Sequence, residues 1–158
     1  MVLSIIRHAQ ADDPTPGGSD HARRLTKKGR RQAAWLADAL ASSDAPPTMV
    51  LSSTRLRALE TAEPIAAALG LKLTESETLA RFEPAEVAVG VIEEHPEIES
   101  LAIVGHNPQF SELVWMLIGE LGSEPGSLKK GECVRLEIDP FAPIVGALPI
   151  ARLRMPKA

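Results

Sequence analysis

The chain has 158 residues, 44% of them apolar, the size and composition of one domain built on a single core. Its 17 basic and 21 acidic side chains leave a net charge of −4, which argues against a protein whose main task is to grip nucleic-acid backbones. One cysteine, Cys133, excludes an internal disulfide, and no stretch approaches the ~20 apolar residues of a membrane span. The N-terminal run MVLSII is too short for a signal peptide and lacks a basic start. A cytoplasmic monomer without membrane or nucleic-acid contacts is the expectation.

Taken in chain order, Val2 to Ile6 is a short β-branched apolar run and reads as a buried strand. A loop rich in Asp, Pro and Gly follows, from Asp12 to Asp20. Thr26 has the character of an N-cap for a helix over residues 27–41, in which Gln32, Ala33, Leu36, Ala37 and Leu40 share one face. Pro46 and Pro47 stop it, and Thr48 to Leu51 is a second strand. A helix is predicted from Thr54 to Leu69, kinked or divided at Pro64, with Gly70 just beyond its end. Leu71 to Thr74 reads as a further strand, Ala85 to Glu94 as a helix, and Leu101 to Val104 as a buried strand. Asn107-Pro108 has the form of an N-cap with proline in the first turn of a helix reaching about Leu121. Cys133 to Ile138 and Pro149 to Met155 alternate and read as half-solvated strands of an antiparallel edge. The sum is an α/β chain, three-layered α/β/α, with a mostly parallel central sheet and an antiparallel C-terminal edge.

In such a sheet ligands sit beyond the carboxyl ends of the strands, at helix N-termini. Three polar groups occupy those positions: Arg7-His8 after the first strand, Arg55 and Arg57 after the second, and His106-Asn107 after Leu101 to Val104. Each has an ordinary reading alone, as solvent-facing arginine or turn histidine. Converging on one cleft, two histidines and at least two guanidiniums match a dianionic phosphoryl group. The four histidines, His8, His21, His95 and His106, form no metal-binding spacing, and neither a GxxxxGK[ST] loop nor a GxSxG elbow occurs. No metal and no cofactor are expected.

The ordered set RHA, SxxxRALET and GHNP resembles the histidine phosphatase superfamily, whose fold is phosphoglycerate-mutase-like. The short chain, the RHAQA start and the DHARRLTKKG and GHNP segments look most like the SixA-type phosphohistidine phosphatases. The likeness implies one histidine phosphatase domain over residues 1–158. It implies His8 as the transiently phosphorylated nucleophile, with Arg7 and Arg57, rather than Arg55, as phosphate-binding guanidiniums. His106 then contacts the phosphoryl group, and Arg23 of the matching DxxRxLT segment reaches toward the pocket. The family's commonest RHG start is RHA here, with Ala9. The larger relatives carry a glutamate proton donor in mid-chain; here LARFEPAEVAVG offers Glu83 or Glu86, neither in a clear match.

Chemistry bears on the substrate. A nucleophilic His8 needs one neutral imidazole nitrogen in line with phosphorus and the other proton held by an acceptor such as a backbone carbonyl. Arginines and His106 as imidazolium would stabilise the transition-state oxygens. An alkyl ester gains greatly from a general acid, whereas a protonated phosphohistidine leaves readily, so a missing donor favours phosphohistidine on a partner protein. A small-molecule phosphomonoesterase using Glu83 or Glu86, and a non-catalytic module binding phosphate or phosphoprotein, are the alternatives.

Overall fold

The structure is a computed structural model and describes residues 1–118, 126–142 and 146–157. Six strands form one sheet: β1 (Val2–Arg7), β2 (Met49–Ser53), β3 (Leu73–Ser76), β4 (Ser100–Gly105), β5 (Glu132–Glu137) and β6 (Leu148–Arg154). Their order is β3-β2-β4-β1-β5-β6. The first four are mutually parallel, while β5 runs antiparallel to β1 and β6 antiparallel to β5. The three strands whose ends carry the polar groups, β2, β4 and β1, are therefore adjacent, and the amide of His8 still donates to the Gly105 carbonyl at 3.0 Å.

Alternation along each strand loads both faces. On one face Leu3, Ile5, Leu101, Ile103, Val134 and Leu136 meet α3 (Ala85–Glu93) and α4 (Gln109–Ile118). On the other, Ile6, Val50, Ala102, Val104 and Cys133 meet α1 (Lys27–Ala41) and α2 (Leu56–Ala68). Both faces being covered, the central strands read as continuous apolar runs. The result is the expected three-layer arrangement.

Local chemistry sets the boundaries. Thr26 caps α1, its Oγ1 accepting the Gly29 amide at 3.0 Å. Gly70 takes a φ of 66°, the left-handed turn that ends α2, and the Leu71 amide closes it on the Ala66 carbonyl at 2.9 Å. That bond ties Leu71 to the helix end, so β3 begins at Leu73 rather than Leu71.

Other expectations are corrected. Pro64 does not divide α2, whose buried face (Arg57, Ala58, Thr61, Ala62, Ile65, Ala66) continues past it. The Asn107-Pro108 bond is cis and α4 starts at Gln109. Asn107 does not cap the helix: its Nδ2 donates to the Leu128 carbonyl at 2.9 Å and its Oδ1 accepts from Ser111 Oγ at 2.8 Å. The expected end near Leu121 lies outside the described residues. Strand β5 is buried rather than half-solvated, because β1 and β6 flank it and its polar side chains have partners inside. Arg135 donates to Ser4 Oγ and the Ala45 carbonyl, and Glu132 accepts the Lys129 amide. Of the two C-terminal strands, β6 is the one that keeps an exposed surface.

Candidate active site

The end of β1 delivers His8 into a buried setting, 6% exposed. Its Nδ1 lies 2.7 Å from the Ala9 carbonyl, an atom that can only accept, so Nδ1 carries the proton and Nε2 is the free lone pair. Burial, opposed by that carbonyl and reinforced by Arg57, Arg7 and Lys130, pushes the His8 pKa down to about 4. The ring is neutral at physiological pH.

His106, at the end of β4, sits with its ring centroid 5.3 Å from that of His8. Its Nε2 is 2.7 Å from Ser53 Oγ, at the end of β2. Burial, then the charges of His8, Arg57 and Arg55, hold its pKa down at about 2. Burial and the surrounding positive groups thus hold His106 as a neutral ring rather than the imidazolium expected.

The arginines are fixed from behind. Arg7 Nη1 donates to the Leu128 carbonyl at 2.9 Å, the carbonyl that Asn107 also holds. Arg57, in the first turn of α2, donates Nη1 to the Asp20 carbonyl at 2.8 Å and Nη2 to Asp20 Oδ2 at 3.2 Å. Arg55 reaches the same carboxylate, and Arg23 donates to Asp20 Oδ1 at 3.1 Å and to the Asp12 carbonyl at 2.7 Å. Arg23 therefore joins the arginine cluster through Asp20. Burial would raise the Asp20 pKa, but Arg23, Arg57 and Arg55 override it and hold the carboxyl below its ordinary value.

Four buried side-chain atoms find no hydrogen-bond partner among the described residues: Arg7 Nε, Arg57 Nε, His106 Nδ1 and Gln109 Oε1. Three are nitrogens, on Arg7, Arg57 and His106, three of the four residues expected from sequence to meet the phosphate; the remaining one, Arg23, has its partners in Asp20 and Asp12. Buried orphan donors are costly unless something fills them. The fourth, on Gln109, is an acceptor and does not suit a phosphoryl oxygen.

Glu83 is half-buried ahead of α3 and Glu86 exposed in its first turn; neither carboxylate makes a hydrogen bond or ion pair among the described residues. Their neighbour Phe82 does reach the site: its ring lies 6.3 Å from that of His106 and 4.6 Å from the Arg55 guanidinium, yet remains 65% exposed. Sequence reasoning assigned no role to Phe82, Lys130, Ser53, Asp20 or Thr61. The last three fell inside the quoted motifs, and Thr61, four residues after Arg57, lies one helical turn along α2. Its hydroxyl accepts the Ala9 amide at 3.0 Å and donates to the Arg57 carbonyl at 2.7 Å. Among the described residues no group of three His, Cys, Asp or Glu side chains is placed to hold a metal ion, and no helix is long and apolar enough to cross a membrane.

Residues 3–113 match the histidine phosphatase superfamily (branch 1). Over 96% of both chains the fold superposes, with a TM-score of 0.83 and 25% identity, on an Agrobacterium tumefaciens protein assigned as the phosphohistidine phosphatase SixA. A protein histidine phosphatase SixA complexed with tungstate gives a TM-score of 0.83 at 21% identity, covering 98% of this chain and 97% of that one. A mycobacterial glucosyl-3-phosphoglycerate phosphatase gives 0.70 at 19% identity, with 94% and 96% covered. Among curated protein sequences none matches significantly. With the match spanning most of the chain and the SixA-type fold laid over nearly all of it, this chain belongs to the histidine phosphatase superfamily.

Proposed function

We propose that the chain removes phosphate from phosphohistidine on a partner protein, by way of a phosphohistidine on its own His8. The observation that carries the reading is the set of three orphaned nitrogens on Arg7, Arg57 and His106, which three phosphoryl oxygens would satisfy together. Neutral His8 Nε2 attacks phosphorus in line as the bond from phosphorus to the departing imidazole breaks. That imidazole, protonated on its other nitrogen, leaves as a neutral ring. Arg7 and Arg57 stabilise the equatorial oxygens, and His106 Nδ1 pairs with one of them. Water then attacks phosphorus, the bond to His8 Nε2 breaks to leave the neutral Nδ1–H ring, and inorganic phosphate departs with both protons that water brought.

The substrate choice rests on the acid. Neither Glu83 nor Glu86 is held in place by a partner, so neither is fixed as a proton donor. The open face of Phe82 beside His106 suits a flat leaving group such as an imidazole. A lone buried Cys133 accords with a reducing, cytoplasmic setting.

Parallel assays on phosphohistidine and on a panel of alkyl phosphates test the reading. The expected result is higher kcat/KM on phosphohistidine, unchanged within about twofold in Glu83→Gln and Glu86→Gln, since no acid is then needed. Faster turnover of an alkyl phosphate that collapses in either glutamine variant would instead make the chain a small-ester phosphatase.

A further inference from the structure

An open cleft of about 480 Å³ lies between α1 and the C-terminal end of β6. Lys28 and Arg31 line it from the helix, and Arg154 and Lys157 from the strand end and beyond. All four are exposed, and none is ion-paired among the described residues. The nearby Arg30 and Arg152, by contrast, are paired with Glu60 and Glu132. Glu132 faces Arg154 across the β5–β6 ladder, but its carboxylate is taken by Arg152 and the Lys129 amide. Among the described residues no acidic side chain lines the cleft. Four cations without an ion-pair partner among the described residues, gathered in one concavity of a chain with net charge −4, form a local field opposite in sign to the whole.

The cleft is joined to the chemistry by Gln32. This buried side chain is part of the cleft wall, and its Oε1 accepts the amide of Gln10, two residues beyond His8, at 3.0 Å. Arg154 stands at the same end of the sheet, since Glu132, its cross-strand partner, directly follows Gly131, whose amide donates to the His8 carbonyl at 3.0 Å. We infer that this cleft is the docking groove for an acidic face of the phosphoprotein substrate, holding the carboxylates that flank its phosphohistidine. The inference rests on the proposed substrate class. It adds that specificity comes from charge outside the catalytic pocket, so it acts on KM and association rather than on the chemical step.

The test uses three probes phosphorylated with phosphoramidate: free phosphohistidine, a phosphohistidine peptide flanked by Asp and Glu, and one flanked by Lys. The parent is expected to favour the acidic peptide over the basic one by roughly tenfold in kcat/KM at low salt, with the preference fading toward 1 M salt. In Lys28→Glu/Arg31→Glu/Lys157→Glu, KM for the acidic peptide should rise roughly tenfold while turnover of free phosphohistidine is kept, which also reports a folded pocket. The milder Lys28→Gln/Arg31→Gln pair should show the same trend, and Lys27→Glu, outside the cleft, none. Equal cleavage of the two peptides by the parent, or a preference that survives charge reversal, would overturn the groove while leaving the substrate class standing. Tighter binding of duplex RNA or phosphatidylglycerol vesicles through these residues would also overturn it. Failure of the parent on every phosphohistidine probe, with small esters still cleaved, would overturn the substrate reading and the groove with it.

Discussion

Asp20 holds Arg57 at two points, its carbonyl taking Nη1 at 2.8 Å and its Oδ2 taking Nη2 at 3.2 Å. Two of the three guanidinium nitrogens are thereby fixed, and the third, Nε, is the one left without a partner. Asp20 both aims Arg57 and lowers the positive field seen by an incoming anion. Asp20→Ala is expected to lower kcat/KM by roughly ten- to a hundredfold through lost aim. Asp20→Asn keeps an acceptor but removes the charge, so it should bind inorganic phosphate several-fold more tightly than the parent, measured as competitive inhibition. Unchanged kinetics in both variants would show that Arg57 needs no such brace.

Thr61 links the loop carrying His8 to the helix carrying Arg57, accepting from Ala9 and donating to the Arg57 carbonyl. Thr61→Val keeps the shape but strands the Ala9 amide in a fully buried place. The expected cost is about 1–3 kcal/mol of stability, read by denaturant titration, with a drop in kcat larger than any change in KM.

Gly29 lies where α1 crosses the loop after His8, and a methyl group there would stand 2.0 Å from the Gln10 carbonyl oxygen. That atom is backbone, so the loop itself would have to move. Gly29→Ala should lower Tm by several degrees and cut turnover of every substrate, despite alanine being the better helix former. A variant more stable than the parent would contradict the packing described.

Protonation of His8 removes the nucleophile. With its pKa pushed down to about 4, kcat/KM should hold level from neutrality into mild acid and fall only below about pH 4 to 5. Stability follows the same two histidines with a different window. Both His8 and His106 have folded pKa values below the ordinary 6.5, so the unfolded chain takes up protons first. Their contribution is complete above about pH 6.5 and is lost progressively as pH falls, on the order of 3 kcal/mol for His8 by pH 4. Because a bound anion favours the charged rings, phosphate should relieve part of this loss, which thermal melts with and without phosphate can measure.

Much of this was legible from the chain because the signals were local. Thr26, Gly70 and the apolar runs around Ile5 and Ile103 specify caps, turns and buried strands on their own. The strand-end positions of His8, Arg57 and His106 followed from the same pattern, since a ligand in a parallel sheet sits at the carboxyl ends. What escaped was set by tertiary contact. The alternation around Arg135 looked half-solvated because one sequence cannot show that Ser4 and Ala45 come to meet it. Asn107 looked like a cap because its pull toward Leu128 spans 21 residues. Asp20 sat in a loop with no periodicity, and only the fold brings Arg23, Arg55 and Arg57 around it.

The most direct measurement is isolation of the covalent intermediate. Parent enzyme quenched during turnover of a labelled phosphodonor should carry one acid-labile, alkali-stable phosphate, mapped by peptide sequencing to His8. His8→Ala should carry none and turn over nothing. Label retained in His8→Ala, or steady turnover by that variant, would contradict the assignment of His8 as the group that takes the phosphate.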